Sequence, residues 1–249
     1  MEWILKKQDG CAAEVSAEVR KAVPEELDAL FAMQLRIHET MPDPEQFMPN
    51  DKEELRTNIR ENLVVGVWVG QTPIALGIVR YDGTKASNYA WKLGVPESDV
   101  PLWANFDTIA VDAAWRGNGL QRRLLEQCIA WRRPDIIGMG CTVSPKNTFS
   151  LHNVEQAGFS VYTRQMMYDT HDRYILRCQL APLPGRYRHF KGNAYQVLDT
   201  VHHSETDEEM VLYRALYAER ALWVRPVSMW FEHVDRDGYH GPRFTWVSE

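Results

Sequence analysis

Residues 106–131 constrain the fold of this 249-residue chain more than any other stretch, and they read FDTIAVDAAWRGNGLQRRLLEQCIAW. The apolar run FDTIAV predicts a β-strand, and the apolar residues of LQRRLLEQC recur at helical spacing on one face of a predicted helix. Arg116, Gly117 and Gly119 lie in the short connection between the two. A strand that passes directly into a helix in this way is the building unit of an α/β fold.

This connection has the composition of an anion-binding loop. The first turn of a helix exposes backbone N–H groups and carries about half a positive charge. Glycine leaves these amides accessible, and Arg116 adds a charge-assisted bond. No Lys-Ser or Lys-Thr pair follows the glycines and the pattern G-x-G-x-x-G is missing, which excludes the Walker loop and the dinucleotide fingerprint. The loop predicts a phosphate or pyrophosphate ligand, with a simple tight turn as the alternative.

The segments on both sides of this unit predict a mixed α/β sheet. Two helices precede a β-hairpin whose turn lies between Gly70 and Pro73, and a strand, a helix and two more strands follow. The predicted ranges are helices at 24–41 and 51–62, the hairpin at 63–83, a strand at 136–145, a helix at 147–159 and strands at 160–170 and 172–180. Residues 84–105 show no clear period, and we interpret them as a functional loop because long passive connections are uncommon inside a compact domain.

The sequence changes character after LAPLPG, residues 180–185. Five short aromatic or β-branched segments follow, which is the pattern of a small all-β domain. We therefore predict a first domain at 1–180, a linker at 181–184 and a β domain at 185–249. Within the β domain, RYRHFK at 186–191 interleaves basic and aromatic residues as single-strand binders do. The favoured interpretation of this segment is an amphipathic strand with its aromatic rings inward.

Composition excludes several classes of protein. A net charge of −6 and a pI near 5.8 argue against nucleic acid as a partner, because such binding needs clustered Lys and Arg. No run of about 18 apolar residues is present, so no membrane span is predicted. The four cysteines, Cys11, Cys128, Cys141 and Cys178, form no C-x-x-C pair and predict buried thiols rather than a metal site or a disulfide framework. We expect a cytoplasmic protein.

Two motifs resemble the GCN5-related N-acetyltransferase (GNAT) family. The segment VDAAWRGNGLQRRLL is similar to the family pattern V-x-P-x-x-R-G-x-G-x-[GA]-x-x-L-L, and VSPKNTFSLHNVEQAGF is similar to the second family motif. The resemblance extends over residues 24 to about 180. It implies the mixed central sheet of that family and acetyl-CoA as co-substrate.

The resemblance also implies which residues bind acetyl-CoA. Backbone amides of the loop would hold the pyrophosphate, the end of the preceding strand would bind the pantetheine arm, and two residues of the second motif would contact the cofactor. These positions are Ala110, Val111, Arg116, Gly117, Asn118, Gly119, Leu120, Gln121, Asn147 and Ser150. A helix N-cap and a solvated helix residue are the respective alternatives for Asn147 and Ser150. Gln121 stands where the family has Gly or Ala, so its side chain must point away from the phosphate or bind something itself.

The candidate catalytic residues depart from the family pattern. Val154 occupies the position at which many family members carry the tyrosine that protonates the departing thiolate. Tyr162 and Tyr168 are candidates to replace it, although aromatic residues in strands more often belong to a core. Asp107 is a candidate to accept the proton of the amine, directly or through water, and a structural hydrogen-bonding role is the alternative.

Residues 185–249 resemble a small bacterial domain of unknown function, which brings no activity with it. The sequence favours an N-acyltransferase that acts on a small-molecule amine or a protein amino group, with the β domain shaping acceptor recognition or assembly, including a homodimer. The alternative is a CoA-binding sensor with little transferase activity, which the missing tyrosine supports. A modifier of nucleic acids or nucleoproteins, recruited by the β domain, is a third hypothesis that rests on residues 186–191 alone. The sequence does not identify the acceptor or the length of the acyl chain.

Overall fold

A computed structural model of the chain describes residues 1–8, 14–43, 46–168 and 170–248. Eight strands form one sheet, in the spatial order β1-β2-β3-β4-β5-β6-β8-β7. The strands are β1 (Glu2–Lys6), β2 (Glu14–Lys21), β3 (Leu63–Val69), β4 (Thr72–Arg80), β5 (Trp103–Val111), β6 (Gly138–Val143), β7 (Ser160–Met167) and β8 (His171–Gln179). The helices between them are α1 (Leu27–Glu39), α2 (Lys52–Glu61), α3 (Leu120–Trp131) and α4 (Thr148–Gln156).

This sheet confirms the predicted mixed α/β class. Strands β1 to β5 pair with their neighbours in antiparallel fashion, whereas α3 connects β5 to the adjacent β6 as a crossover. The β3–β4 hairpin turns at Gly70, as predicted. Strands β1 and β2 were not predicted, although the alternation of buried Trp3 and Leu5 with exposed neighbours in β1 is a period-2 pattern.

The contacts between Cα atoms divide the chain into two compact units. The first comprises Met1–Tyr81, Asn105–Arg132 and Cys141–Leu176 and contains both GNAT-like motifs. Its core forms where α1 and α2 pack on β3 and β4, and fully buried members include Leu30, Met33, Leu55, Leu76 and Ile78. Burial of such side chains stabilises each by about 1.5–3 kcal/mol relative to exposure.

The second unit comprises Asp82–Ala104, Arg133–Gly140 and Arg177–Glu249. Its C-terminal part holds a five-stranded sheet in the order β12-β11-β10-β9-β15 and a two-stranded sheet of β13 and β14. The strands are β9 (Gly185–His189), β10 (Ala194–His202), β11 (Glu209–Ala215), β12 (Leu222–Pro226), β13 (His233–Arg236), β14 (Tyr239–Pro242) and β15 (Phe244–Trp246). These sheets confirm the predicted all-β C-terminal region, whereas the exact boundary at 181–184 stays a prediction.

A short helix, α5 (Val227–Trp230), interrupts LWVRPVSMWFEHV at 222–234, one of the five aromatic or β-branched segments from which the all-β domain is predicted. Pro226 precedes it with φ −49° and lacks a backbone N–H, so the strand cannot continue its ladder through this residue. The turn brings the Trp230 ring parallel to that of Phe244, with centroids 3.9 Å apart and an interplanar angle of 6°. Packing of the aromatic core therefore overrides the local strand propensity.

The basic and aromatic residues of RYRHFK separate onto the two faces of β9. Tyr187 is fully buried and packs edge-to-face on Trp230 and Trp246, at centroid distances of 5.6 and 5.3 Å. Arg186 and Arg188 are exposed on the other face. The interpretation as an amphipathic strand is confirmed, and the interleaved pattern follows from strand alternation.

The predicted functional loop of residues 84–105 is organised around one buried amide. Asn88 Nδ2 donates to the carbonyl oxygens of Gly83, Val100 and Trp103 at 2.7, 3.1 and 3.1 Å. This amide fixes the segment from inside, as expected for a buried polar group that is fully hydrogen-bonded.

The thiols of Cys128, Cys141 and Cys178 are buried, as predicted, and Cys11 lies outside the described residues. Burial raises the pKa of the Cys128 thiol. No helix in the described part of the chain combines the length and apolar composition that crossing a membrane requires.

Candidate active site

The loop between β5 and α3 adopts the backbone conformation that its glycines allow. Gly117 and Gly119 have φ of +79° and +65°, in the left-handed region that other residues rarely enter. Upstream, the Asp112 carboxylate accepts from the Ala114 amide at 3.0 Å and from Arg36 Nη2 at 2.8 Å. These bonds hold the chain as it leaves β5, and Gly119 then forms the N-cap of α3.

The first turn of α3 offers backbone amides, and the loop before it contributes the exposed guanidinium group of Arg116. The first main-chain bond of the helix joins Arg123 N to Gly119 O at 3.0 Å, so the amides that precede it have no intrahelical acceptor. The guanidinium group of Arg123 lies 4.1 Å from the centroid of the Trp3 ring, and Arg122 pairs with Glu126 at 3.4 Å. Arg116, at the end of the loop, is exposed.

A cavity of about 710 Å³ opens beside this turn, and we call it the loop cavity. All the predicted cofactor-binding residues except Asn118 line it, namely Ala110, Val111, Arg116, Gly117, Gly119, Leu120, Gln121, Asn147 and Ser150. The fold therefore brings the two sequence motifs to one surface.

The side chain of Asn118 ties the loop to β1. Its Oδ1 accepts from Lys6 N at 2.8 Å, and its Nδ2 donates to Lys6 O and Trp115 O at 2.8 and 2.9 Å. A ligand in the loop cavity would thus meet an Asn118 side chain that is already engaged, and the residue would contribute through its main chain.

Gln121 and the residues of α4 form a second set of polar contacts. Asn147 Oδ1 accepts from Ser150 N at 2.9 Å, so Asn147 is the N-cap of α4. Gln121 Nε2 donates to Ser150 Oγ at 2.9 Å, and Asn153 Nδ2 donates to Gln121 Oε1 at 2.9 Å. The side chain that replaces the family's Gly or Ala therefore binds α4.

A second cavity, of about 530 Å³, shares a wall with the loop cavity, and we call it the Asp107 cavity. Ile109, Gln121, Asn147 and Ser150 line both cavities. Val154, whose side chain is only 7% exposed, lines the Asp107 cavity and gives it an apolar surface at the position of the absent tyrosine.

Asp107 lies on β5 with 13% of its side chain exposed. Its Oδ1 is 3.1 Å from Arg80 Nη1, and its Oδ2 accepts from Thr108 Oγ1 at 2.9 Å. The carboxylate thus has the structural partners of the alternative interpretation and still lines a cavity. The two roles are compatible because a carboxylate has about four lone-pair positions.

The two candidate tyrosines lie in different surroundings. Tyr168 follows β7 with φ +51° and is 55% exposed, its hydroxyl is 3.4 Å from Thr142 Oγ1, and it lines the Asp107 cavity. Tyr162 lies on β7, is 45% exposed, and is not among the described residues that line either cavity. The structure brings Tyr168 together with Asp107.

Three charged or titratable residues of the Asp107 cavity were not singled out from the sequence: Glu54, His171 and Arg173. Glu54 is the third residue of α2 and belongs to its capping box, in which the Glu54 carboxylate accepts from Asp51 N at 3.0 Å. His171 and Arg173 come from the start of β8, where no motif surrounds them. Only the pairing of distant segments brings them to the site.

Known structures share the fold of the larger part of the chain. An acetyltransferase of the GNAT family from Streptococcus pneumoniae matches with a TM-score of 0.52 and 16% identity, over 66% of this chain and 99% of that one. The ribosomal-protein-S18-alanine N-acetyltransferase of Escherichia coli matches with a TM-score of 0.50 and 17% identity, over 67% and 96%. An aminoglycoside acetyltransferase solved with coenzyme A and kanamycin matches with a TM-score of 0.50 and 14% identity, over 66% and 94%.

The C-terminal sheet region matches a sequence family instead. The family is described as a protein of unknown function, DUF1653, and its model matches residues 185–246. No protein of curated function matches the sequence. About two thirds of this chain therefore has the fold of the GNAT acetyltransferases, followed by a segment that matches DUF1653.

Proposed function

We propose that this protein is an N-acyltransferase that transfers an acetyl or another short acyl group from acyl-CoA to an amine. The observation that carries the proposal is the open first turn of α3, which borders the loop cavity next to two left-handed glycines and the exposed Arg116. Backbone amides at a helix N-terminus and a nearby guanidinium group are suited to a pyrophosphate.

The residues present fit acyl-CoA along the whole loop cavity. Gly117 and Gly119 leave the amides uncovered, and a side chain at position 117 would meet Gln8 Nε2 at 2.9 Å. Ala110 and Val111, at the end of β5, would bind the amide-containing arm through main-chain groups. An acyl group at the far end of this arm would lie at the wall that the two cavities share.

The Asp107 cavity would hold the acceptor amine. Only the uncharged amine attacks a thioester, so the site must remove a proton from the nitrogen. The Asp107 carboxylate would accept this proton directly or through a water molecule, with Glu54 as a second carboxylate of the same cavity. Tyr168, which lines the same cavity, would contact the acceptor or the acyl oxygen.

The acceptor is either a small-molecule amine or a protein amino group. Proteins of similar fold include one solved with the amine kanamycin and one named for an alanine of a ribosomal protein, so the fold alone favours neither. We propose that the β domain from residue 185 shapes acceptor choice or assembly. Buried thiols and an acyl-CoA substrate fit a cytoplasmic location.

One observation favours a CoA-binding sensor as the second candidate function. Val154 presents an apolar surface at the position of the family's acid, so a bound acyl-CoA could persist without being used. An acetyl-CoA-dependent screen of amines, amino acids and proteins, followed by mass, separates the two functions. Transfer of the acetyl group to any tested amine would support the N-acyltransferase function over the sensor.

The Gly119→Val substitution tests the proposed cofactor site. Wild type should bind acetyl-CoA in the micromolar range, about −7 to −8 kcal/mol in calorimetry, and the substitution should abolish binding because the side chain covers the first amides of α3. Gly70→Val is the matched control, since Gly70 has φ +57° and, like Gly119, has no atom within 4 Å of an added Cβ. Both variants carry the same backbone strain, so only the first should lose the ligand. Unchanged affinity in Gly119→Val would contradict the assignment.

A further inference from the structure

Three polar side chains join α3 to α4 in a chain of hydrogen bonds that runs in one direction. Asn153 donates to Gln121, and Gln121 donates to the Ser150 hydroxyl, each over 2.9 Å. The Ser150 oxygen is thus used as an acceptor, while its proton has no acceptor among the described residues. A hydroxyl that accepts a hydrogen bond is polarised and becomes a better donor.

Ser150 stands where the two cavities meet. It lines both of them, whereas Asn153 lines only the loop cavity and Val154 only the Asp107 cavity. If the pyrophosphate lies in the first cavity and the amine in the second, the thioester must lie at their common wall. Ser150 is one helical turn before Val154 on α4, on the same face of the helix.

We propose that Ser150 donates the hydrogen bond that stabilises the departing CoA sulfur, and that Gln121 and Asn153 are positioning residues that direct its proton. This rests on the N-acyltransferase function proposed above. The amine nitrogen bonds to the acyl carbon, and the carbon–sulfur bond breaks with its electron pair on sulfur. Ser150 keeps its proton, since an alkoxide is far more basic than a thiolate. The proton lost by the nitrogen, taken up by Asp107 or water, finally converts the thiolate to the thiol.

Two alternative arrangements compete with this role. The three residues could simply join the helices, in which case the direction of the hydrogen bonds would not matter. Tyr168, which lines the Asp107 cavity with its hydroxyl 3.4 Å from Thr142 Oγ1, could be the donor instead. The arrangements predict different responses of CoA binding to pH when Ser150, Gln121 or Tyr168 is substituted.

The test compares the affinities of CoA and acetyl-CoA by calorimetry from pH 6 to pH 9. A free thiol has a pKa of about 8.5, and a hydrogen bond to the bound thiolate lowers this value in the complex. CoA should therefore bind more tightly as pH rises from the lowered pKa to the free one, by about tenfold for each pH unit that separates the two values. Acetyl-CoA has no thiol and serves as the matched ligand.

Other titratable or charged groups line the two cavities. Those lining the Asp107 cavity are Glu54, Asp107, Cys141, Tyr168, His171 and Arg173. The loop cavity adds Asp43 and Arg116. They act on both ligands, so the ratio of the two affinities, measured on the same protein, isolates the thiol.

Three variants at positions 150 and 121 separate a directed donor from a simple bridge between the helices. In Ser150→Ala the increase of the CoA-to-acetyl-CoA affinity ratio with pH should be about tenfold smaller than in wild type. Ser150→Thr should show the same increase as wild type because the hydroxyl remains. Gln121→Glu places a carboxylate where the amide donates, so Ser150 would turn its proton toward that carboxylate. This variant should lose the rise although the serine and a bridge between the helices remain.

The outcomes distinguish this inference from the proposed function. A rise that persists in Ser150→Ala and disappears in Tyr168→Phe would assign the donor role to Tyr168 and overturn the inference. If the affinity ratio still increased with pH in Gln121→Glu, Gln121 would only join the two helices and would not direct the Ser150 proton. A wild-type protein that binds neither ligand would contradict the acyltransferase function itself.

Discussion

At the scale of single residues, Asp107 combines structural hydrogen bonds with access to a cavity. Its carboxylate is held by Arg80 and Thr108 and still lines the cavity proposed for the amine. Turnover should rise with pH as the acceptor amine loses its proton. We expect Asp107→Asn to lower kcat by about 10²-fold or more while acetyl-CoA affinity changes little, because the amide cannot accept the proton.

Steady-state kinetics across pH, together with calorimetry, measure this difference. Glu54→Gln is the matched control, a carboxylate-to-amide change in the same cavity, and it should lower kcat less. Equal kcat for wild type and Asp107→Asn at every pH would remove Asp107 from the mechanism. Tyr168→Phe and Tyr162→Phe would then be the next variants to test.

At the scale of elements, β9 carries a histidine whose titration is coupled to the stability of the C-terminal sheet. Burial, and then the charges of Arg243, Arg225 and Lys191, lower the pKa of His189 to about 4. The folded state thus favours the neutral His189 ring. The stability that His189 contributes to the folded protein is therefore fully present above pH 6.5. As pH falls from 6.5 toward 4, the unfolded chain gains the proton first and this contribution is lost.

We expect thermal unfolding of wild type to shift to lower temperature through this pH range. His189→Phe keeps a ring against Phe244, whose centroid lies 4.8 Å away, and has no proton to gain. The melting temperature of the variant should therefore depend less on pH between 6.5 and 4 than that of wild type. At neutral pH and above, the two proteins should melt at similar temperatures. Identical pH profiles for the two proteins would show that His189 does not couple to folding.

The elements also show what the sequence can and cannot predict. The glycine loop, the start of α4 at Asn147 and the strand alternation around Tyr187 were predicted because each depends on neighbouring residues. Gln121 meets Ser150 across 29 positions and Asn153 across 32, and no local pattern encodes such pairs. Strand β1 could have been predicted from the sequence, since the alternation of apolar and polar residues in EWILK is a local pattern.

At the scale of the whole molecule, the second unit joins segments that are far apart in the chain. His233 Nδ1 is 2.9 Å from Asp99 Oδ2, across 134 positions, and the Asp99 side chain is only 5% exposed. This contact joins residues 84–104, most of the segment interpreted from sequence as a functional loop, to the C-terminal sheets of the same unit. It also bears on the predicted boundary at 181–184.

A chain that ends at Leu183 tests that boundary. By the predicted domain division it should fold and bind acetyl-CoA with nearly unchanged affinity. Asp99 would lose its imidazole partner and retain the hydrogen bond from Ser98 Oγ at 3.1 Å. In the full chain we expect Asp99→Asn to cost about 1–3 kcal/mol in chemical unfolding. In the shortened chain the same change should be neutral or stabilising, because an unpaired buried carboxylate is removed.

If Asp99→Asn lowered the unfolding free energy equally in both chains, the hydrogen bond between His233 and Asp99 would not stabilise the protein. A shortened chain that does not fold would show that the predicted domain division is wrong and that residues 84–105 need the C-terminal sheets. Folding of the shortened parent chain is therefore measured first, because the cost of Asp99→Asn can be compared between the two chains only if both fold.

The two hydrogen bonds between the Asn118 side chain and the main chain of Lys6 have a consequence for the speed of ligand capture. They fix the glycine loop against β1 before any ligand arrives, so the entropy of ordering this loop is lost during folding rather than during binding. Association with acetyl-CoA should then be a single step whose observed rate increases in proportion to ligand concentration, without the slower phase of a loop that must first close.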